Sequence, residues 1–105
     1  MFISNESTLY INYLTVIKNR VYKILPFIEE ANENIVKYTD SLLFELYGLQ
    51  FVIEGVKDSH NYVSLLSTLE SIQLELTEDE YDFELLRREI FKSLSIVDKL
   101  IKKGE

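Results

Sequence analysis

Apolar residues recur at spacings of three and four along almost the whole chain, and this periodicity restricts the fold more than any other feature. Tyr10, Tyr13, Leu14, Ile17, Val21, Ile24 and Leu25 form one stripe, and Ile28, Ala31, Ile35, Leu42, Leu46, Leu49, Ile53 and Val56 a second. Tyr62, Leu65, Leu66, Leu69, Ile72 and Leu76 form a third, and Phe83, Leu86, Ile90, Leu94, Val97 and Ile101 a fourth. Such spacing places side chains on one face of an α-helix, whereas a half-buried strand alternates every second residue. With three glycines and one proline in 105 residues, the chain also lacks the turn residues that an all-β fold needs. The expected architecture is all-α: one domain over residues 1–105, a compact antiparallel bundle of about four helices with the second broken or kinked.

Local punctuation sets the expected boundaries. Ser7 or Thr8 can cap the first helix. Pro26 ends or kinks it, or else opens a new helix at the one position where a missing N–H costs nothing. An unbroken helix from residue 26 to 56 would run about 45 Å, longer than its neighbours can cover, so a break is expected near Asn32–Asn34 or at Thr39-Asp40-Ser41. Gly48, unfavourable inside a helix, points to close helix–helix approach. Gly55 and Lys57-Asp58-Ser59-His60-Asn61 read as a turn. Thr77 with Glu80 has the spacing of a capping box that would start the last helix. Lys99, Lys102 and Lys103 suit the negative end of its dipole, and Gly104 suits the stop.

The charge is unevenly spread. The formal net charge is −7, yet residues 1–26 and 87–105 are net basic. Residues 27–58 carry seven acids against two bases, and residues 59–86 seven acids and no base. Direct binding to nucleic acid or to an anionic membrane is therefore disfavoured, and a basic protein partner is favoured. Six acids crowd into ten residues: Glu75, Glu78, Asp79, Glu80, Asp82 and Glu84, with Tyr81 among them. These seven residues are the candidate partner-binding surface, carboxylates steering a basic partner and tyrosine supplying an anchor. The competing explanation is that the acids only stabilise a helix N-terminus. The second acidic segment, Glu29, Glu30, Glu33, Asp40, Glu45, Glu54 and Asp58, could lie alongside. Most of the seven tyrosines are expected at the core boundary with their hydroxyls in water.

No credible active site emerges from the residue types present. There is no cysteine, which excludes disulfides and thiolate chemistry and fits a reducing, cytoplasmic setting. His60 is the sole histidine. It shares a turn with Asp58 and Ser59, and neighbours in one turn do not converge as a catalytic triad must. Zinc would need more ligands. Glu30-x-x-Glu33 and Glu75-x-x-Glu78 have helical spacing for a divalent ion but lie far apart in sequence. No phosphate loop is present, and Glu84 and Glu89 flank the single basic doublet, Arg87-Arg88. The N-terminus lacks the pattern of a signal peptide, and no apolar run approaches a membrane span.

These features together point to a binding protein with no catalytic residue, cofactor or metal. The leading expectation is an inhibitor of the immunity or antitoxin type, from a bacterium or phage. It would neutralise a basic, nuclease-like toxin domain by presenting carboxylates where phosphates would lie. The alternative is a helical adaptor or assembly chaperone, homodimeric in one form, that takes a partner helix in an apolar groove.

Overall fold

A computed structural model describes residues 8–53 and 55–103. Five α-helices follow in order: α1 (Thr8–Tyr22), α2 (Ile24–Glu29), α3 (Ile35–Leu49), α4 (His60–Leu76) and α5 (Phe83–Lys103), with a 3₁₀ turn at Val56–Asp58. α1 and α2 are the two arms of one helix bent at Lys23, so the molecule is a small four-helix bundle measuring 42 × 22 × 20 Å. Among the described residues no helix is long and apolar enough to cross a membrane.

The apolar stripes meet in one core. α1 buries Tyr10, Leu14, Ile17 and Val21; α3 buries Ile35, Leu42, Leu43 and Leu46; α4 buries Tyr62, Leu65, Leu66, Leu69 and Ile72. α5 packs most extensively on α4 and α1, and besides Leu86, Ile90, Leu94 and Val97 it buries Ser93, Ile96 and Leu100. Its buried arc is thus wider than a single stripe, as suits a helix wedged between two others. Side-chain bonds give the directions. Tyr13 reaches Glu45 (3.0 Å) while Tyr38 reaches the Arg20 carbonyl (2.7 Å), so α1 and α3 run antiparallel. Asp40 pairs with Gln73 while Leu46 pairs with Tyr62, so α3 and α4 do too.

The boundaries depart from expectation in physically legible ways. The bend falls at Lys23, not at Pro26, because the proline ring obstructs the carbonyl four residues earlier and its effect is felt upstream. Pro26 then sits in the first turn of α2, where its missing N–H needs no partner. The break in the second stripe falls at residues 30–34; Thr39-Asp40-Ser41 lies inside α3, with the Thr39 hydroxyl donating to the Ile35 carbonyl (2.9 Å). α2 ends in a Schellman motif, Asn32 N–H to Phe27 carbonyl (3.0 Å) and Ala31 N–H to Ile28 carbonyl (3.0 Å). Ala31 occupies its left-handed position at φ 52°, a place that favours glycine. The Asn32 side chain then accepts the Asn34 N–H (2.8 Å) and turns the chain into α3. Ser7 and Gly104, expected caps, lie outside the described residues.

One further expectation is corrected. Gly48 is exposed, and a Cβ added there would meet nothing within 4 Å; close helix approach is not its reason. Of the seven tyrosines, Tyr13, Tyr38 and Tyr81 are half-buried and Tyr22 and Tyr47 exposed, while Tyr10 and Tyr62, both in the apolar stripes, lie wholly inside the core. The Tyr62 hydroxyl donates to the Leu46 carbonyl, which α3 leaves available by tightening into an i→i+3 turn at its end, Gln50 N–H to Tyr47 carbonyl (3.2 Å). No buried side-chain polar atom lacks a partner among the described residues.

Ala31 and Gly48 are each in the place that suits the other. Ala31→Gly should stabilise the fold by about 0.5–1 kcal/mol through relief of the left-handed backbone, and Gly48→Ala by about 0.5 kcal/mol through helix propensity. Urea midpoints at unchanged slope would show both. Burial raises the Tyr10 pKa from 10.0 to about 12 and pushes Tyr62 up as well. The folded state therefore holds these protons longer than the unfolded one. Stability is full below pH 10 and declines as the pH rises through about 12, where Tyr10 loses its proton. Urea midpoints followed by circular dichroism from pH 8 to 12 should fall in that window, and an unchanged midpoint would contradict the buried position of both rings.

Candidate functional site

The ten residues from Glu75 to Glu84 do not form one helical turn of carboxylates. α4 continues to Leu76 and α5 begins only at Phe83. The expected capping box is not made: Thr77 closes α4, its hydroxyl donating back to the Leu74 carbonyl (2.7 Å). Asp82 caps α5 instead, its carboxylate accepting the Leu85 N–H (3.1 Å). The reciprocal bond of a capping box comes from another element, as the Glu75 carboxylate accepts the Asp82 N–H (2.8 Å). Two sequence-selected acids, Glu75 and Asp82, thus fasten the α4–α5 connection. Tyr81 is half-buried and packs on the core.

The remaining acids have no such employment. Glu78, Asp79 and Glu80 are exposed and consecutive, and Glu84 is exposed in the first turn of α5, where a carboxylate suits the dipole. No ion pair engages any of them among the described residues. The second acidic segment divides. Glu45 turns towards α1, taking bonds from Tyr13 and Arg20, and Asp40 is held by Gln73 of α4. Glu29, Glu30 and Glu33 stand exposed at the α2–α3 connection, and Glu54 lies outside the described residues. Because α3 starts where α4 ends, the connections at 30–34 and 77–82 emerge at the same end of the bundle. Acids some 45 residues apart in sequence therefore gather at one pole: Glu29, Glu30 and Glu33 from one connection, Glu78, Asp79 and Glu80 from the other.

Charge is segregated by helix as well. α1 carries two bases and no acid, and α5 six bases against three acids; α3 carries two acids and the single base Lys37, and α4 two acids and no base. Arg87 and Arg88 stand exposed one turn into α5. No ion pair to Glu84 or Glu89 forms; Arg87 instead lies over the Phe91 ring at 5.8 Å. The ion pairs among the described residues are Lys18–Asp98 (2.7 Å) and Arg20–Glu45.

Helical spacing for a metal is absent at both carboxylate pairs. Glu30 and Glu33 lie in the connection, and Glu75 is committed to Asp82. Among the described residues no three His, Asp or Glu side chains group closely enough to hold a metal ion. Ser59 caps α4, accepting the Tyr62 N–H (3.2 Å), and His60 is exposed in its first turn.

A surface of a different kind lies apart from the acids. Phe44 is 81% exposed and Phe51 77%. Tyr47 shares their side of α3, and its hydroxyl donates to Glu70 of α4. The signal was present in the pattern, since Phe44 falls nearly opposite the Leu42/Leu46 stripe on a helix with 3.6 residues per turn. Comparison with protein-family models, with curated proteins and with solved structures returns no match to this chain.

The capping role of Asp82 is directly testable. Asp82→Ala should cost about 1 kcal/mol, while Asp82→Asn, an equivalent cap, should cost little. Equal melting temperatures for the two variants would contradict the assignment.

Proposed function

We propose that the protein is a binding partner and inhibitor of a basic protein, of the immunity or antitoxin type, acting on a nuclease-like domain. The observation that supports this reading is the gathering of two acidic connections at one pole of the bundle, with Glu78, Asp79 and Glu80 exposed and unpaired. A domain that grips a polyanion presents bases at phosphate-like intervals, and such carboxylates attract it over long range and occupy those bases. Glu75, Asp82 and Tyr81 contribute by holding the α4–α5 connection in place, and Glu84 extends the acidic surface onto α5. The exposed Phe44 of α3 and Phe51 just beyond its end favour a second reading, a helical adaptor bound through apolar contact. The two differ in salt dependence, since contacts between exposed charges weaken with ionic strength and apolar contacts do not.

The variant that tests the proposal combines Glu78→Lys, Asp79→Lys and Glu80→Lys, so that only acids with no structural role are reversed. Purified by affinity tag from its native host at low salt, the unaltered protein should carry a basic polypeptide that the variant fails to retain. Both should show the same helicity. Retention of the same partner by both proteins, unaffected by salt, would favour the adaptor.

A further inference from the structure

Four observations meet on the outer side of α3. First, Phe44 and Phe51 are the two most exposed large apolar side chains among the described residues, at 81% and 77%. They stand seven residues apart, two turns or about 10 Å along the helical path, which α3 prolongs past Leu49 in close turns: Phe51 N–H to Gly48 carbonyl (3.1 Å) and Ile53 N–H to Leu49 carbonyl (2.8 Å). Second, Gly48 lies between them, exposed, without a left-handed backbone and with open space where a Cβ would stand. Neither backbone conformation nor internal packing explains a glycine there. A local rule broken with no internal compensation marks a place where function sets the residue.

Third, the neighbouring helix continues the same surface. Tyr47–Glu70 and Asp40–Gln73 brace the outer seam between α3 and α4. On α4, Val63 and Leu74 fall on the arc of Glu70, two turns and one turn away, and are 50% and 67% exposed. Fourth, carboxylates outnumber bases around this track, with exposed Lys37, two turns before Phe44 on the same arc, the one base of α3. Asp40 and Glu70 border it, α4 bears no base, and the acidic pole lies beyond Leu74. Apolar anchors two turns apart, a low point between them and a carboxylate border are the complement of an amphipathic helix with basic flanks.

We propose that the α3–α4 face, centred on Gly48 between Phe44 and Phe51, docks a basic amphipathic helix of the partner protein. The proposal rests on the reading that the partner is basic, and it adds where the partner's apolar ridge sits. A partner side chain enters the space over Gly48 and touches backbone, while the two rings close on either side of it. Asp40, Glu70 and the acidic pole fix the direction of approach.

Two synthetic helical peptides of about five turns, equally rich in lysine, separate the two claims. One carries a leucine face at positions i, i+3, i+4 and i+7, and the other carries alanine at those positions. By fluorescence anisotropy the full-length protein should bind the leucine peptide about tenfold more tightly than the alanine peptide. Phe44→Ser with Phe51→Ser should erase that preference. So should Gly48→Gln, which puts a side chain over the low point, its Cβ meeting nothing within 4 Å, and favours the helix. The triple charge reversal at Glu78, Asp79 and Glu80 should weaken both peptides alike while sparing the preference. Equal binding of both peptides, still sensitive to the charge reversal, would overturn the docking site and leave the basic-partner reading standing. Binding of neither peptide overturns both. Self-association of the unaltered protein in sedimentation, abolished by the phenylalanine variant and blind to the leucine peptide, overturns the proposal in favour of a second copy of this chain.

Discussion

Every other feature of the molecule depends on the burial of four helical stripes against one another, because their one apolar core is what holds the described residues together. The chain has no cysteine to cross-link, and the ion pairs among the described residues lie at the surface, where such pairs are worth little. A domain of this size gains its stability from apolar area removed from water. Two tyrosines are sunk into that core, and each introduces a polar group that must be satisfied. The Tyr62 hydroxyl solves this by taking a carbonyl that the end of α3 leaves unused. One bond thus closes a helix terminus, fixes the α3–α4 register and allows a large ring to fill the centre.

That register has consequences at the surface. With α3 antiparallel to α4, the α2–α3 and α4–α5 connections must emerge at one pole, and both are rich in carboxylates. Assembling so many acids without bases among them works against compactness through self-repulsion. Part of the charge is put to structural use, at the Glu75–Asp82 cap and at Glu45 between Tyr13 and Arg20. The part that is not so used, together with Phe44 and Phe51, is the surface on which the proposed function rests. Stability and binding are divided between residues a few positions apart: Asp82 closes a helix, while Asp79 and Glu80 face water.

The sequence alone carried much of this. Four stripes, scarce turn residues and the long second stripe were enough for an all-α bundle with a break at either Asn32–Asn34 or Thr39-Asp40-Ser41, since amphipathic periodicity is local and survives without knowledge of neighbours. Charge segregation along the chain was equally readable. Cap positions were less so. Thr77 and Glu80 have the spacing of a capping box, yet the box formed from Asp82 and Glu75, because extending α4 to Leu76 completes its apolar stripe and leaves the connection no room for an earlier start of α5. Gly48 suggested a close contact because sequence shows that a side chain is missing, not what would have stood beside it.

What only tertiary structure decided is which residues of distant segments share a surface. That Glu29, Glu30 and Glu33 lie at the same pole as Glu78, Asp79 and Glu80 follows from helix direction. That Phe44 and Phe51 remain in water follows from which neighbours α3 has and which it lacks. A sequence determines the hydrophobic faces of its helices, because those depend on residues three and four apart. It leaves open which face finds a partner within the chain, because that depends on packing all four helices at once, and the face left over is where another molecule can bind.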